Sequence, residues 1–213
     1  MLVTRDFVLI HVPKTGGTFL NGLIKEHCEV LHEDMHGPYS RLPAEFRDLP
    51  AIGFVRNPWD WYVSWFEHMK QVGPESKDEW EWTTFGLETA TFPEFLERAF
   101  ALPHKFDYYS ALLRDALDGC QHGRFEHLRE WFVRFLTQHH VHNPELVSAV
   151  LEAPASNVGK HRPYDHYYGP HTAQLIWESW SAQTFGYVFG REIEIPSVPA
   201  PAAASSISGS DEI

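Results

Sequence analysis

Phe7-Val8-Leu9-Ile10-His11-Val12-Pro13-Lys14-Thr15-Gly16-Gly17-Thr18, running on into Phe19-Leu20-Asn21-Gly22-Leu23-Ile24-Lys25, decides the fold. Residues 7–12 are a nearly continuous apolar run, the pattern of a parallel strand covered on both faces. Pro13 stops that run, and 14–18 make a turn. Apolar residues then return at helical spacing, with Phe19, Leu20, Leu23 and Ile24 on one face. Strand, glycine-rich turn and helix thus follow in immediate succession.

Outward from this stretch the same alternation continues. Val30-Leu31-His32 is a further strand candidate. Ala51-Ile52-Gly53-Phe54-Val55 is a second buried strand and ends at Arg56. Asn57 caps the next helix, with Pro58 at its first position and Asp60 closing a pattern like a capping box. That helix runs to Met69, before the break at Gly73-Pro74. Residues 75–91 are acidic and Trp-bearing without clean period, which predicts a long surface loop, a lid or substrate wall. Further helices are predicted over 92–100, 126–139, 144–151 and 172–181. Alternating strands and helices imply an α/β layered fold on a central parallel sheet. Residues 1–195 read as one domain. The Pro-, Ala- and Ser-rich 196–213 cannot bury enough apolar surface to fold and read as a flexible tail.

Composition narrows the function. The 213 residues include 29 acidic and 17 basic ones, a formal charge of −12. Nucleic-acid binding draws its affinity from phosphate neutralisation, so a duplex-binding protein is disfavoured. Any anionic ligand needs a local basic pocket inside a repulsive field. Cys28 and Cys120 are too few for a disulfide framework and read as buried reduced thiols. The amino-terminal Met-Leu-Val-Thr-Arg-Asp-Phe lacks the pattern of a signal peptide, and no run approaches the ~18 apolar residues of a membrane span. A cytoplasmic protein is the expectation.

In parallel sheets ligands bind beyond the carboxyl ends of the strands, where this chain has Lys14 and Arg56. The turn Lys14-Thr15-Gly16-Gly17-Thr18 points backbone N–H groups toward its centre at a helix N-terminus, a setting that favours anions. Its glycines allow close approach, Lys14 adds charge, and Thr15 and Thr18 add hydroxyls. Arg56, with Ser64 two turns into the next helix, could hold a second phosphate group. The first turn is not a Walker A loop, since its Lys precedes the glycines. A P-loop-type nucleotide kinase therefore stays only an alternative, as does a non-catalytic nucleotide-binding module.

Taken together, Val-Pro-Lys-Thr-Gly-Gly-Thr at 12–18 and Phe-Val-Arg-Asn-Pro-Trp-Asp-Trp-Tyr-Val-Ser at 54–64 resemble the sulfotransferases that use 3′-phosphoadenylyl sulfate (PAPS). The resemblance is closest to the carbohydrate branch, which includes the heparan sulfate sulfotransferases. Arg124-Phe125-Glu126-His127-Leu128 and Phe185-Gly186-Tyr187 are also similar to family sequences, so the likeness spans about 7–189, strongly at two points. Two departures stand out: Phe19 where many relatives have Ser, and Ser181-Ala182-Gln183-Thr184 where many have an Asp. The resemblance implies a P-loop-like three-layer fold. It implies that Lys14, Thr15, Gly16, Gly17 and Thr18 hold the 5′-phosphosulfate and that Arg56 and Ser64 hold the 3′-phosphate. Lys160, His161 and Arg162 look like the family's late basic loop, which folds over the nucleotide. PAPS would be the sulfuryl donor and PAP the product, with no metal required.

Sulfuryl transfer to a hydroxyl needs a base of near-neutral pKa, for which His is suited. His36, in Met-His-Gly-Pro-Tyr-Ser-Arg-Leu-Pro, resembles the His-bearing stretch that precedes the 3′-phosphate strand in carbohydrate sulfotransferases, and His32 is the alternative. Lys14 would neutralise the leaving phosphate oxygen. His139-His140-Val141-His142 lacks carboxylate or Cys partners at ligand spacing and is not read as a metal site. A carbohydrate or small-molecule acceptor is expected, with sugar, alcohol, phenol and tyrosine all open. The acidic 75–88 stretch disfavours a polyanionic glycan, because like charges would meet.

Overall fold

The computed structural model describes residues 1–73, 83–102, 106–156, 159 and 161–191. Its strands are β1 Leu2–Thr4, β2 Val8–Ile10, β3 Val30–Glu33, β4 Ala51–Val55 and β5 Gln121–Arg124. They form one five-stranded sheet in the order β3-β1-β2-β4-β5. β2, β4 and β5 are parallel, with Leu9 opposite Ile52 and Phe54 opposite Gly123. The remaining edge is antiparallel, because β1 runs against both β2 and β3.

Alternation along the strands sends side chains to two separate cores. Leu9, Ile52 and Phe54 face Leu20, Ile24, Phe132, Phe135, Leu146 and Val150. Val8, Ile10, Ala51 and Val55 face Trp59, Tyr62, Phe95, Tyr109 and Leu113. The first face carries helices α1 Gly17–His27, α5 Leu128–Gln138 and α6 Pro144–Glu152. The second carries α2 Pro58–Val72, α3 Phe92–Phe100 and α4 Tyr108–Leu117. Two short helices, α7 Pro170–Trp177 and α8 Trp180–Phe185, close that side. Helices on both faces of a sheet make the three-layer α/β fold expected from the sequence.

Several boundaries differ from expectation for local reasons. β1 exists because the Thr4 hydroxyl donates to the Phe7 carbonyl at 2.9 Å and accepts from the Phe7 N–H at 3.1 Å, reversing the chain. β5 reads Gln-His-Gly-Arg and has no apolar run. It is buried through Gly123, where a Cβ would lie 2.7 Å from Phe54 Cε1. The helix expected over 172–181 is two helices, because the Ser179 hydroxyl caps the second by accepting from the Ala182 N–H at 3.2 Å. Of the loop expected over 75–91, residues 75–82 lie outside the described residues. The rest is anchored, with Phe85 and Leu87 fully buried. α2 is buried almost all round, from Trp59 to Met69, and ends at Gly73 with φ +70°. No helix among the described residues is long and apolar enough to cross a membrane. Residues 192–213, including the expected tail at 196–213, lie outside the described residues.

Candidate active site

β2 and β4 leave the sheet side by side, the first into Lys14 and the second into Arg56. Lys14 has φ +63° and Gly16 φ +80°, so two left-handed residues fold the first turn back onto α1. Thr15 between them is buried, and its hydroxyl donates to the Val12 carbonyl at 2.8 Å, closing the turn. Trp61 Nε1 reaches across from α2 and donates to the Pro13 carbonyl at 2.8 Å. Thr18 is exposed on the first turn of α1. No side chain caps α1 and no acidic residue lies in its first turn, so its N-terminal positive field is left intact. Both glycines are required by packing as well. A Cβ on Gly16 would sit 2.8 Å from Leu128 Cδ1, and one on Gly17 only 1.9 Å from His11 Cδ2.

Arg56 joins the two strand exits. Its Nη1 donates to the Lys14 carbonyl at 3.0 Å and to the Ser64 hydroxyl at 2.9 Å. Its other edge grips Asp60, with Nε and Nη2 each 2.7 Å from Oδ2. The guanidinium also lies 4.5 Å over the Phe125 ring. Asp60 therefore does not close a capping box. Asn57 caps α2 alone, accepting from the Trp59 N–H at 3.0 Å, and the Asp60 carboxylate is taken by Arg56 four residues upstream. Burial, with Arg56 nearby as the lesser cause, pushes the Lys14 ammonium down to about 8. No carboxylate pairs with Lys14 among the described residues, so the turn keeps a cation within an acidic molecule.

The segments 124–128 and 185–187, read from the sequence only as similar to a family, converge under this site. Glu126 accepts from the Asn57 backbone N–H at 2.6 Å and from the Tyr187 hydroxyl at 2.9 Å. Arg124 lies 4.5 Å over the Tyr187 ring and donates to the Phe185 carbonyl. Tyr109 bonds Arg56 twice, accepting from its N–H at 2.8 Å and donating to its carbonyl at 3.1 Å. Burial pushes the Tyr109 and Tyr187 hydroxyls far up, so both stay neutral supports. Phe19 turns away to pack under the Arg129 guanidinium at 4.8 Å, which itself donates to the Val150 and Ala153 carbonyls.

The late basic segment also approaches. A Cβ on Gly159 would lie 2.9 Å from His161 Cδ2 and 4.0 Å from Ser64 Oγ, so this stretch lies against the Arg56–Ser64 corner. His161 Nδ1 donates to the Arg162 carbonyl at 2.8 Å, and Arg162 is exposed. Lys160 lies outside the described residues. Asn57 Nδ2 ties the following turn in place by donating to the Tyr164 hydroxyl at 3.4 Å.

His36 is exposed, with φ +62°, and stands beside the first turn. Its Nδ1 donates to the His11 carbonyl at 3.3 Å, and its ring lies 4.6 Å from the His11 ring. His32 is on the sheet edge instead, opposite Val3 and against the Phe46 ring at 6.4 Å. His139 bonds Gln121 Oε1 at 3.2 Å, away from this cluster. No group of three His, Cys, Asp or Glu could hold a metal ion among the described residues. Two neighbours of this cluster went unread in the sequence: His11, against the His36 ring, and Asn21, whose Nδ2 lies 3.3 Å from His11 Nδ1. His11 sits inside an apolar run, where a lone His reads as a strand residue, and Asn21 sits on a helix face with nothing to mark it.

No family model matches the chain, and no curated protein matches it by sequence. The crystal structure of mouse sulfotransferase SULT7A1 complexed with PAP is similar, with a TM-score of 0.52, over 86% of this chain and 89% of that one, at 16% identity. At that identity the likeness is one of fold: the three-layer α/β architecture built here around the β2 and β4 exits is shared with a sulfotransferase.

Proposed function

We propose that this protein is a sulfotransferase that moves the sulfuryl group of PAPS to an acceptor hydroxyl. One observation carries the reading. A single guanidinium, Arg56, bridges the carbonyl of the lysine turn and the Ser64 hydroxyl, so two anion-favouring corners are contiguous at neighbouring strand exits. One bisphosphorylated nucleotide would span that pair, and the similar fold of a PAP-bound sulfotransferase supports the reading. Lys14 and the start of α1 would hold the 5′-phosphosulfate, with the Gly16–Gly17 backbone against it. Arg56 and Ser64 would hold the 3′-phosphate, and the segment bearing Lys160, His161 and Arg162 would cover it.

His36 is the proposed base. Donation from Nδ1 to a carbonyl leaves Nε2 as its basic nitrogen. The acceptor hydroxyl proton goes to Nε2 while the hydroxyl oxygen bonds sulfur. The bond from sulfur to the bridging phosphate oxygen breaks, and that oxygen leaves on PAP beside Lys14. Positioning and electrostatic stabilisation carry most of such a transfer.

Thermal shift with PAP, ADP and ATP–magnesium, followed by transfer from PAPS to a panel of sugars, alcohols, phenols and tyrosine peptides, tests the proposal. PAP should stabilise far more than ADP, since stabilisation follows the ratio of ligand concentration to Kd. His36→Ala should abolish transfer with PAP affinity held within a few-fold. ATP–magnesium turnover without PAP binding would make the protein a nucleotide kinase. PAP binding with no transfer across the panel would make it a binding module.

A further inference from the structure

His11 stands between the two chemical parts of this site. One edge of its ring abuts Gly17, so close that a Cβ there would meet Nε2 at 2.4 Å. The His36 ring lies 4.6 Å away, tilted by 47°. The partners of each ring decide where its proton sits. Asn21 Nδ2 lies 3.3 Å from His11 Nδ1. With the amide placed so, its NH₂ donates and Asn21 Oδ1 is left buried with no hydrogen-bond partner among the described residues; His11 Nδ1 then accepts and the proton of the neutral ring is on Nε2, the nitrogen beside the start of α1. His36 is the reverse: its Nδ1 faces a carbonyl, which can only accept, so its proton is on Nδ1.

We infer that Asn21 and His11 are the positioning pair of the site: Asn21 holds His11 in the Nε2–H form, and that ring, wedged between Gly17 and His36, orients the base against the anion turn. The inference rests on the sulfuryl-transfer reading for the role of His36, and on geometry alone for the pairing. The titratable groups facing His11 are His36, from the turn after β3, and the amino group of Met1 at the start of β1. Burial, then His36, then that amino group hold His11 down to about 4. His11 therefore stays uncharged through the neutral range.

Long-range ¹H–¹⁵N histidine spectra of the wild type between pH 5.5 and 9, assigned with His11→Gln and His36→Gln, test the pairing without any need for activity. The expected result is His11 in the neutral Nε2–H form throughout and neutral His36 in the Nδ1–H form. His11 in the Nδ1–H form, or cationic above pH 6, overturns the inference. Asn21→Asp adds a second readout. A carboxylate only accepts, so the proton of neutral His11 must move from Nε2 to Nδ1. The His11 signals should switch to the Nδ1–H pattern, and a ring that stays Nε2–H overturns the pairing. Transfer should slow with PAP affinity held within a few-fold, and an unchanged kcat overturns the coupling to the base. Failure of PAP to stabilise the wild type would instead overturn the sulfuryl-transfer reading, and the spectra alone would decide the pairing.

Discussion

Lys14 shows how one residue sets a pH window. Its ammonium is lowered from 10.5 to about 8, first by burial and then by Arg56. A phosphate beside it would favour the charged form, so binding of the proposed nucleotide would be linked to proton uptake. PAP affinity should be greatest below pH 7 and should fall as pH rises through about 8. Titrations from pH 6.5 to 9.5 check this, with Lys14→Arg, charged throughout, expected to be flat over the same range. Lys14→Ala should cost roughly 10²-fold in kcat/KM, the usual scale for loss of an electrostatic stabiliser; a loss under threefold would remove Lys14 from the chemistry. Stability runs the other way. Between about 8 and 10.5 the unfolded chain holds a proton that the folded one lacks, so the cost of burying Lys14 shrinks as pH rises. Lys14, Arg56 and Ser64 were legible because each is announced by its neighbours: a glycine turn, a strand end, a capped helix. Asp60 was misread because Glu126, remote in sequence, takes the Asn57 N–H that a capping box would have used.

Among elements, length and period decided what could be read. α3 has the predicted bounds, with its Thr91–Glu94 capping box, since its amphipathic pattern and cap signals are all local. β1, β5 and α4 escaped because three or four residues carry no period and α4 starts from a buried Asp107 cap. The link between β4, the turn after β5 and the end of α8 is the element-scale support of the site. Glu126→Ala leaves the Asn57 N–H and the Tyr187 hydroxyl without their shared acceptor. It should cost about 1–3 kcal/mol, the range for stranding buried polar groups. Urea denaturation measures the loss, and PAP affinity should fall with it because Arg56 rides on the same turn. A stability change under about 0.5 kcal/mol would show that these contacts do not support the strand exit.

At the scale of the whole molecule the formal charge of −12 would oppose the anionic ligand proposed for the local cations. Screening reaches the distant charges first, because the Debye length falls from about 30 Å at 0.01 M salt to about 8 Å at 0.15 M. PAP association should therefore speed up over that range in stopped-flow measurements, while the complex also dissociates faster as the close contacts weaken. Association that slows steeply with salt would mean that the local cations dominate at long range. The sequence by itself determined the strand–turn–helix units, the layered α/β class and the two cation-bearing exits, since turns, caps and periodicity act over a few neighbouring residues. Tertiary structure alone decided that Arg56 reaches the Lys14 carbonyl, that Glu126 and Tyr187 brace Asn57, and that His11 rather than His32 meets His36. Those contacts join residues far apart in the chain, and packing of the two helical layers on the sheet, not local propensity, brings them within reach.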